Sequence, residues 1–221
     1  MLINADLNVR AVAMADEAAW LPSPAAGVER RMLDRDGGEV ARATSIVRYA
    51  AGSRFDRHVH ECGEEFLVLD GTFEDEFGAY PFGTYVRNPP GSAHAPSSAS
   101  GCVLFVKLRQ FHPDDGEHVV VATREAEWFP GVVRGISTLP LHRFGSEFVA
   151  LVEYAPNTVF SAHTHPGGEE ILVLTGVLED EDGCYPAGTW LRNPPGSRHR
   201  PFSLQGCLLY VKVGHLPVVT V

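Results

Sequence analysis

Residues 58–65, HVHECGEE, and residues 163–170, HTHPGGEE, are two versions of one short sequence. Each version places two histidines two positions apart and follows them with a glycine and a pair of glutamates. Because side chains two positions apart on a β-strand point to the same side, both histidines of each copy share one face. Each copy therefore concentrates several potential metal ligands on one short segment.

The similarity extends far beyond these two segments and identifies an internal duplication. Residues 58–107 match residues 163–212 without a gap at 31 of 50 positions. Upstream the similarity continues at an offset of 108 residues, so the repeat starts near Val9 and covers almost the whole sequence. We therefore predict two domains, residues 1–113 and residues 114–221.

Between the repeated motifs the sequence consists of short apolar runs separated by turns. Runs such as EEFLVLDG at residues 64–71 and EEILVLTG at residues 169–176 end at a glycine. The RNPPGS segments at residues 87–92 and 192–197 predict tight turns that a helix cannot contain. Without helical periodicity in any long segment, the pattern predicts an all-β fold with one antiparallel barrel or sandwich per copy.

Composition argues against several classes of partner. The 18 Lys and Arg residues against 28 Asp and Glu residues give a net charge of −10, which disfavours nucleic acid or an anionic membrane as the main partner. Neither a signal peptide nor a membrane-spanning stretch is evident, so we expect a cytoplasmic protein without membrane association. The four cysteines form no C-x-x-C pair, and we expect them to be reduced.

Strand geometry predicts a metal site in each copy. The paired histidines and the first glutamate of each motif share an inward direction, and a later histidine follows a Pro-Gly turn that can aim it at the others. Three imidazoles and one carboxylate suit Zn, Fe(II), Mn, Ni or Co, and the spacing does not choose among them. We expect two divalent ions per chain, with zinc favoured and iron, manganese or nickel as alternatives. The predicted ligands are His58, His60, Glu64 and His94 in the first copy and His163, His165, Glu169 and His199 in the second.

The positions beside the ligands differ between the copies. By the same alternation, Arg54 and Asp56 are predicted to face the first metal, whereas Val159 and Ser161 hold those positions in the second copy. We therefore predict one charged and one mostly apolar cavity, and two sites that bind different small molecules.

Other recurring charged residues are given structural interpretations. The second glutamates, Glu65 and Glu170, are expected to face away from the metal. Lys107 and Lys212 lie near strand ends, where lysine is usually exposed to solvent. The acidic segments around residues 74–76 and 179–182 are expected to be solvated turns, and Arg87 and Arg192 are expected to hold the Asn-Pro-Pro turn.

These motifs resemble those of the cupin superfamily, G-x5-H-x-H-x3or4-E-x6-G followed by G-x5-P-x-G-x2-H-x3-N. Two departures occur: Asn157 replaces the first glycine in the second copy, and serines replace the last asparagine at Ser98 and Ser203. Asn tolerates the left-handed backbone that glycine provides, so the first departure is mild. The matching positions are Gly52, His58, His60, Glu64, Gly71, Gly83, Pro89, Gly91 and His94, then His163, His165, Glu169, Gly176, Gly188, Pro194, Gly196 and His199.

More narrowly, residues 63–107 resemble the cupin domain of the ChrR anti-sigma factors. The resemblance implies two tandem jelly-roll barrels, a metal-binding role in oxidative stress regulation, and a sigma-factor system as protein partner. ChrR proteins also carry an N-terminal zinc domain with a His-x3-Cys-x2-Cys ligand set, and this sequence has no such motif.

Three functions remain open from the sequence. A regulatory or sensor module would bind a small-molecule ligand without turnover, and it is slightly favoured by the ChrR resemblance. A metal-dependent dioxygenase, similar to acetylacetone dioxygenase, would act on a small carbonyl compound and need an open coordination position. A scaffold would use its metals only for stability. Any of the three is compatible with a homo-oligomer.

Overall fold

The computed structural model describes residues 1–217, which form only strands, turns and irregular segments, with no helix. Within these residues no helix is long and apolar enough to cross a membrane. All four cysteines are free thiols. The all-β prediction is confirmed.

The strands of the first half are short except for three long ones. They are β1 (Leu2–Ile3), β2 (Ala11–Met14), β3 (Leu21–Pro22), β4 (Val28–Gly37), β5 (Ala41–Tyr49), β6 (Ser53–Arg54), β7 (His58–His60), β8 (Glu64–Asp75), β9 (Gly78–Pro81), β10 (Thr84–Asn88), β11 (Ser92–His94), β12 (Ser97–Ser98) and β13 (Cys102–Leu108).

The second half repeats this order. Its strands are β14 (Val119–Ala122), β15 (Phe129–Pro130), β16 (Ile136–Phe144), β17 (Glu147–Tyr154), β18 (Thr158–Val159), β19 (His163–His165), β20 (Glu169–Asp180), β21 (Gly183–Pro186), β22 (Thr189–Asn193), β23 (Ser197–His199), β24 (Phe202–Ser203) and β25 (Cys207–Val213).

The chain divides into two compact units, and each takes a short segment from the other half of the sequence. Unit 1 contains residues 1–5 and 18–126, and unit 2 contains residues 6–17 and the chain from residue 127 onward. The domain boundaries at residues 113 and 114 stay a prediction made from the repeat.

Unit 1 is built on an antiparallel sheet in the order β1-β4-β5-β13-β8-β10-β14. The long strand β8 pairs with β10 and β13 along its first half and with β9 and β12 near its end. A register shift in the β8–β13 pair accompanies this change of partners, because a bulge bends a strand from one sheet toward another. A separate pair, β7 with β11, carries three of the predicted ligands.

Unit 2 has the equivalent order β15-β16-β17-β25-β20-β22-β2, with β19 paired to β23. In this unit β20 has the same shift, and it pairs with β22 and β25 before reaching β21 and β24. Apolar side chains of β20, β22 and β25 form the core, including Ile171, Val173, Leu191 and Leu209. Both units are therefore jelly-roll barrels closed around an apolar interior.

Two repeated glycines combine a left-handed backbone conformation with a close approach to another strand, so other residues do not fit there. Gly71 has φ +70°, and a Cβ there would lie 2.1 Å from the Gly101 carbonyl oxygen. Gly176 repeats this arrangement, with φ +72° and a distance of 2.0 Å to the Gly206 oxygen. Asn157 has φ 61°, so asparagine does adopt the conformation that glycine provides in the first copy.

Candidate metal centres

In unit 1 the β7–β11 pair brings three histidines together. His94 lies opposite His58 in the register, and His60 shares the face of His58. The possible ligand atoms of these three residues all lie within 4.8 Å of one another. The Nε2 atoms of His60 and His94 are 2.9 Å apart, and Glu64 Oε2 lies 3.4 Å from each of them. All four predicted ligands of the first copy therefore converge.

Unit 2 repeats this cluster. The ligand atoms of His163, His165 and His199 also lie within 4.8 Å of one another. Glu169 Oε2 is 3.5 Å from His165 Nε2 and 3.4 Å from His199 Nε2. The convergence of imidazole nitrogens and one carboxylate, mostly buried, is the donor set that a divalent first-row metal prefers.

Backbone and amide groups hold the ligands in orientation. Nδ1 of His58 lies 2.9 Å from the Asp56 carbonyl oxygen, and Nδ1 of His163 lies 2.9 Å from that of Ser161. An Nδ1–H that donates to a carbonyl leaves the lone pair on Nε2, which faces the cluster. Asn193 Nδ2 donates at 2.9 Å to Glu169 Oε2, the oxygen that faces His165 and His199, so the carboxylate is also held in place.

The acidic segments contribute a residue that the sequence interpretation missed. Asp75, whose side chain is 5% exposed, places Oδ2 3.1 Å from His94 Nδ1. In unit 2, Asp180 Oδ2 lies 3.7 Å from His199 Nδ1. A carboxylate behind a ligating histidine fixes the ring and increases its basicity. The prediction of fully solvated turns is therefore wrong at these two positions, and their identity in both copies was the available signal.

The titration of the histidines follows from these contacts. Burial lowers the pKa of His60, and the neighbouring histidines lower it further against the effect of Glu64. Burial also opposes protonation of His94, but the hydrogen bond to Asp75 and the charge of Glu64 outweigh it, so the pKa of His94 is raised. Since a metal binds neutral imidazole, metal binding has to displace any proton held on the inward nitrogen of His94.

The second glutamates lie on the opposite face of the sheet and are buried there. Glu65 accepts hydrogen bonds from the Tyr85 hydroxyl at 2.8 Å and from Arg87 Nη1 at 2.7 Å. Glu170 accepts one from Trp190 Nε1 at 2.7 Å. These glutamates face away from the histidine clusters but make buried polar contacts.

The two recurring lysines are also buried, contrary to the expectation of solvent exposure. Lys107 is 1% exposed and Lys212 is 0% exposed. Lys107 Nζ donates to Thr44 Oγ1 at 3.1 Å, and Lys212 Nζ lies 3.1 Å from Glu147 Oε1. Long-range partners on neighbouring strands therefore compensate the burial of these charges.

Each histidine cluster borders a cavity inside its own barrel. The cavity of unit 1 has a volume of about 390 Å³, and that of unit 2 about 340 Å³. Phe55 lines the first and Phe160 the second. Both volumes are within the range of small-molecule pockets.

The prediction of which residues line the two cavities is wrong. Arg54, Asp56, Val159 and Ser161 are all exposed, because the chain leaves strand geometry at residues 55–57 and the alternation from the histidines does not continue. The phenylalanines lie where those residues were expected.

The two cavities nevertheless differ in the charged residues that line them. Arg30 and Arg35 line the cavity of unit 1, and Arg30 donates to both carboxylate oxygens of Glu39 at 2.8 Å. Arg30 lies opposite Val47 in the β4–β5 pair. The equivalent position in unit 2 is Thr138, which lies opposite Val152 in the β16–β17 pair and lines the cavity there. A guanidinium in one cavity thus corresponds to a hydroxyl in the other.

Comparison with known proteins agrees with this architecture. A family model described as the ChrR cupin-like domain matches residues 8–112 and 116–217. No curated protein matches the sequence. The fold is similar to that of a candidate dioxygenase from Nostoc punctiforme, with a TM-score of 0.79 and 15% identity over 93% of this chain and 82% of that chain.

Two further solved structures share the fold over most of their length. The protein YlbA from E. coli has a TM-score of 0.73 and 18% identity, covering 98% of this chain and 95% of that chain. A formate complex of oxalate decarboxylase from Lactobacillus farciminis has a TM-score of 0.65 and 11% identity, covering 94% and 87%. At these identities the similarity concerns the fold, and function has to be argued from the sites.

Proposed function

Because the chain belongs to the ChrR cupin-like domain family through both copies of its repeat, we propose that it is a two-site, metal-binding sensor of oxidative stress within a sigma-factor system. The observation that carries the metal-binding part is the recurrence of three convergent histidines beside a carboxylate in each unit. A bound divalent ion would supply a Lewis-acidic or redox-active centre on the wall of each cavity.

The residues around each cluster have separate tasks in this proposal. In unit 1, His58, His60 and His94 would hold the metal through nitrogen, and Glu64 would contribute a carboxylate that offsets part of its charge. Asp75 holds His94 in the tautomer that directs Nε2 inward. The adjoining cavity, which His58, His60 and Glu64 line, would admit a small molecule to the cluster.

A second candidate function is a dioxygenase that acts on a small carbonyl compound. The apolar wall of the unit 2 cavity, which includes Phe160, Ile171 and Leu209, favours it, because an apolar wall excludes water from a reacting substrate. In this function the metal would be iron or another redox-active ion, and the protein would turn over a substrate and would not act as a sensor.

Metal analysis of protein purified without a chelator or a histidine tag tests the proposal. We expect two ions per chain after reconstitution with Zn, Fe(II), Mn or Ni, and one ion in each of two variants. One variant combines His58→Ala with His60→Ala, and the other combines His163→Ala with His165→Ala. Metal content that stays near zero with every ion would overturn the proposal.

A second measurement separates the sensor from the enzyme. The metal-loaded protein is exposed to peroxide or singlet oxygen, and metal release or a structural change is followed spectroscopically. The sensor predicts such a response without consumption of a substrate. Oxygen uptake that is stoichiometric with loss of an added diketone would instead establish the dioxygenase.

A further inference from the structure

An arginine of the N-terminal segment lies behind the metal cluster of unit 2. Arg10 immediately precedes β2, which pairs with β22. Its Nη2 contacts Asp180 Oδ2 at 3.0 Å and the Tyr185 hydroxyl at 2.6 Å, and its Nε donates to Asn193 Oδ1 at 3.0 Å. Its Nη1 also contacts Asp182 at 2.7 Å. Unit 2 thus places one guanidinium among four hydrogen-bond partners.

Unit 1 has an equivalent strand pair, but a different residue occupies the position of Arg10. β14 pairs with β10 so that Val119 lies opposite Arg87, just as Ala11 lies opposite Arg192. The residue that corresponds to Arg10 is therefore His118.

Three of the four partners of Arg10 recur in unit 1. Asp75 corresponds to Asp180, Tyr80 to Tyr185, and Asn88 to Asn193. The Asp75 carboxylate has the same local geometry as its counterpart, since its Oδ1 accepts hydrogen bonds from the Phe77 and Gly78 amides and from the Tyr80 hydroxyl. Phe77, which is 70% exposed, stands in place of Asp182.

A cavity of about 370 Å³ occupies this part of unit 1. It is separate from the barrel cavity described above, and His94 lines this cavity but not the barrel cavity. Ser92 contributes a buried hydroxyl oxygen that has no hydrogen-bond partner among the described residues. The residues that line this cavity are Phe77, Asn88, Ser92, Ala93, His94 and His118.

We propose that this lateral cavity binds a small molecule that bears a guanidinium group. The guanidinium takes the place that Arg10 fills in unit 2, with Asp75, Tyr80 and Asn88 as its partners and the Phe77 ring as an apolar wall. A planar group with five donors satisfies several separated acceptors at once, whereas an ammonium is a compact point charge.

The site is coupled to the metal cluster through a shared carboxylate. In unit 2, Asp180 contacts both Arg10 and His199, and its distance to His199 Nδ1 is 3.7 Å. In unit 1, Asp75 lies 3.1 Å from His94 Nδ1. A guanidinium bound beside Asp75 competes with His94 for the same oxygen. The cation then changes the orientation and basicity of a ligand of the first metal.

The test is an NMR titration of the metal-free full-length chain with N-ethylguanidinium, using n-propylammonium as the control cation. We expect one saturable site that shifts the Phe77 and Gly78 amides, because both donate to Asp75. Propylammonium should bind at least about 10-fold more weakly, as the loss of charge-assisted hydrogen bonds implies.

Two substitutions should have opposite effects on guanidinium binding. His118→Arg should weaken binding at least about 10-fold, because the new side chain fills the cavity from within as Arg10 does in unit 2. Arg10→Ala should create a second site, reported by the Asp182 and Gly183 amides. Where Arg10→Ala does not fold, His118→Arg and Asp75→Asn decide. Binding by the parent that neither His118→Arg nor Asp75→Asn weakens, or no saturable binding to the parent, would overturn the proposal.

Discussion

The two adjacent glutamates of unit 2 should have separable roles, one in metal binding and one in stability. Glu169 Oε2 lies 3.5 and 3.4 Å from the Nε2 atoms of His165 and His199. Glu170 is 2% exposed on the other face of the sheet. Its contacts include a hydrogen bond from Trp190 Nε1 at 2.7 Å and an approach of 3.2 Å to His215 Nε2. Glu169→Gln should therefore affect the metal, and Glu170→Gln the fold.

The magnitudes follow from these contacts. Glu169→Gln removes a carboxylate from the ligand set, so metal affinity at unit 2 should fall by about 10-fold or more, since even the loss of an outer contact costs ~10–100-fold. Glu170→Gln keeps the shape but removes the charge from buried hydrogen bonds, each worth about 1.5–3 kcal/mol. The free energy of unfolding of the metal-free protein should fall by about 2 kcal/mol.

The assay combines metal titration with urea unfolding of the metal-free protein. Glu64→Gln and Glu65→Gln provide the matched pair in unit 1, where Glu65 accepts from both Tyr85 and Arg87. If Glu170→Gln removed the metal while Glu169→Gln retained it, the direction of β20 side chains would be the reverse of that described, and the reasoning would fail.

Three further perturbations test individual contacts. Asn193→Ala removes the hydrogen bond that holds Glu169, so metal affinity in unit 2 should fall ~10–100-fold by titration, and unchanged affinity would contradict that role. Gly176→Ala should lower the free energy of unfolding by about 3 kcal/mol or prevent folding, because the new Cβ would lie 2.0 Å from a carbonyl oxygen. The control is Gly78→Ala, whose Cβ would have no atom within 4 Å, and urea unfolding should show a cost under about 1 kcal/mol. Burial works against ionisation of Asp180, yet the His199 imidazole, whose Nδ1 lies 3.7 Å from Asp180 Oδ2, and the hydrogen bond from the Tyr185 hydroxyl lower its pKa from 3.8 to about 2. Its contribution, about 1–2 kcal/mol after solvent screening, should be present above pH 4 and lost as pH falls toward 2, and Asp180→Asn should flatten this part of the stability profile of the metal-free protein.

The histidine clusters could be predicted from the sequence because their geometry is local and repeated. His58 and His60 lie on one short strand, so alternation alone sets their common direction. His94 follows a Pro-Gly turn, and His199 follows the same turn in the second copy. Because this spacing recurs, a chance arrangement of histidines was a poor explanation. The same alternation failed at Arg54 and Asp56, because residues 55–57 are not in a strand and periodicity has no meaning across an irregular segment.

Contacts between distant segments were not predictable in this way. Asp75 belongs to a run of acidic residues whose local composition indicates only a solvated turn. Its contact with His94 depends on the position of β11 relative to the end of β8, which no local pattern encodes. Burial of Lys107 likewise depends on Thr44, far away in sequence, so a strand-end lysine looked exposed. The Arg10 contacts cross most of the chain and leave no periodic signal.

The internal duplication makes the two candidate metal centres a controlled comparison within one chain. The four ligands and the aspartate behind the fourth are identical in both units, so the chemistry of direct metal binding offers no basis for a difference between them. Among the differences in their surroundings, two involve charge: a guanidinium contacts Asp180 where the repeat places a histidine in unit 1, and Arg30 lines one barrel cavity where Thr138 lines the other. Charge near a metal alters both ligand basicity and the small molecules that are attracted. Any division of labour between the two centres must therefore arise from neighbouring residues, these charges included, and not from the ligands themselves.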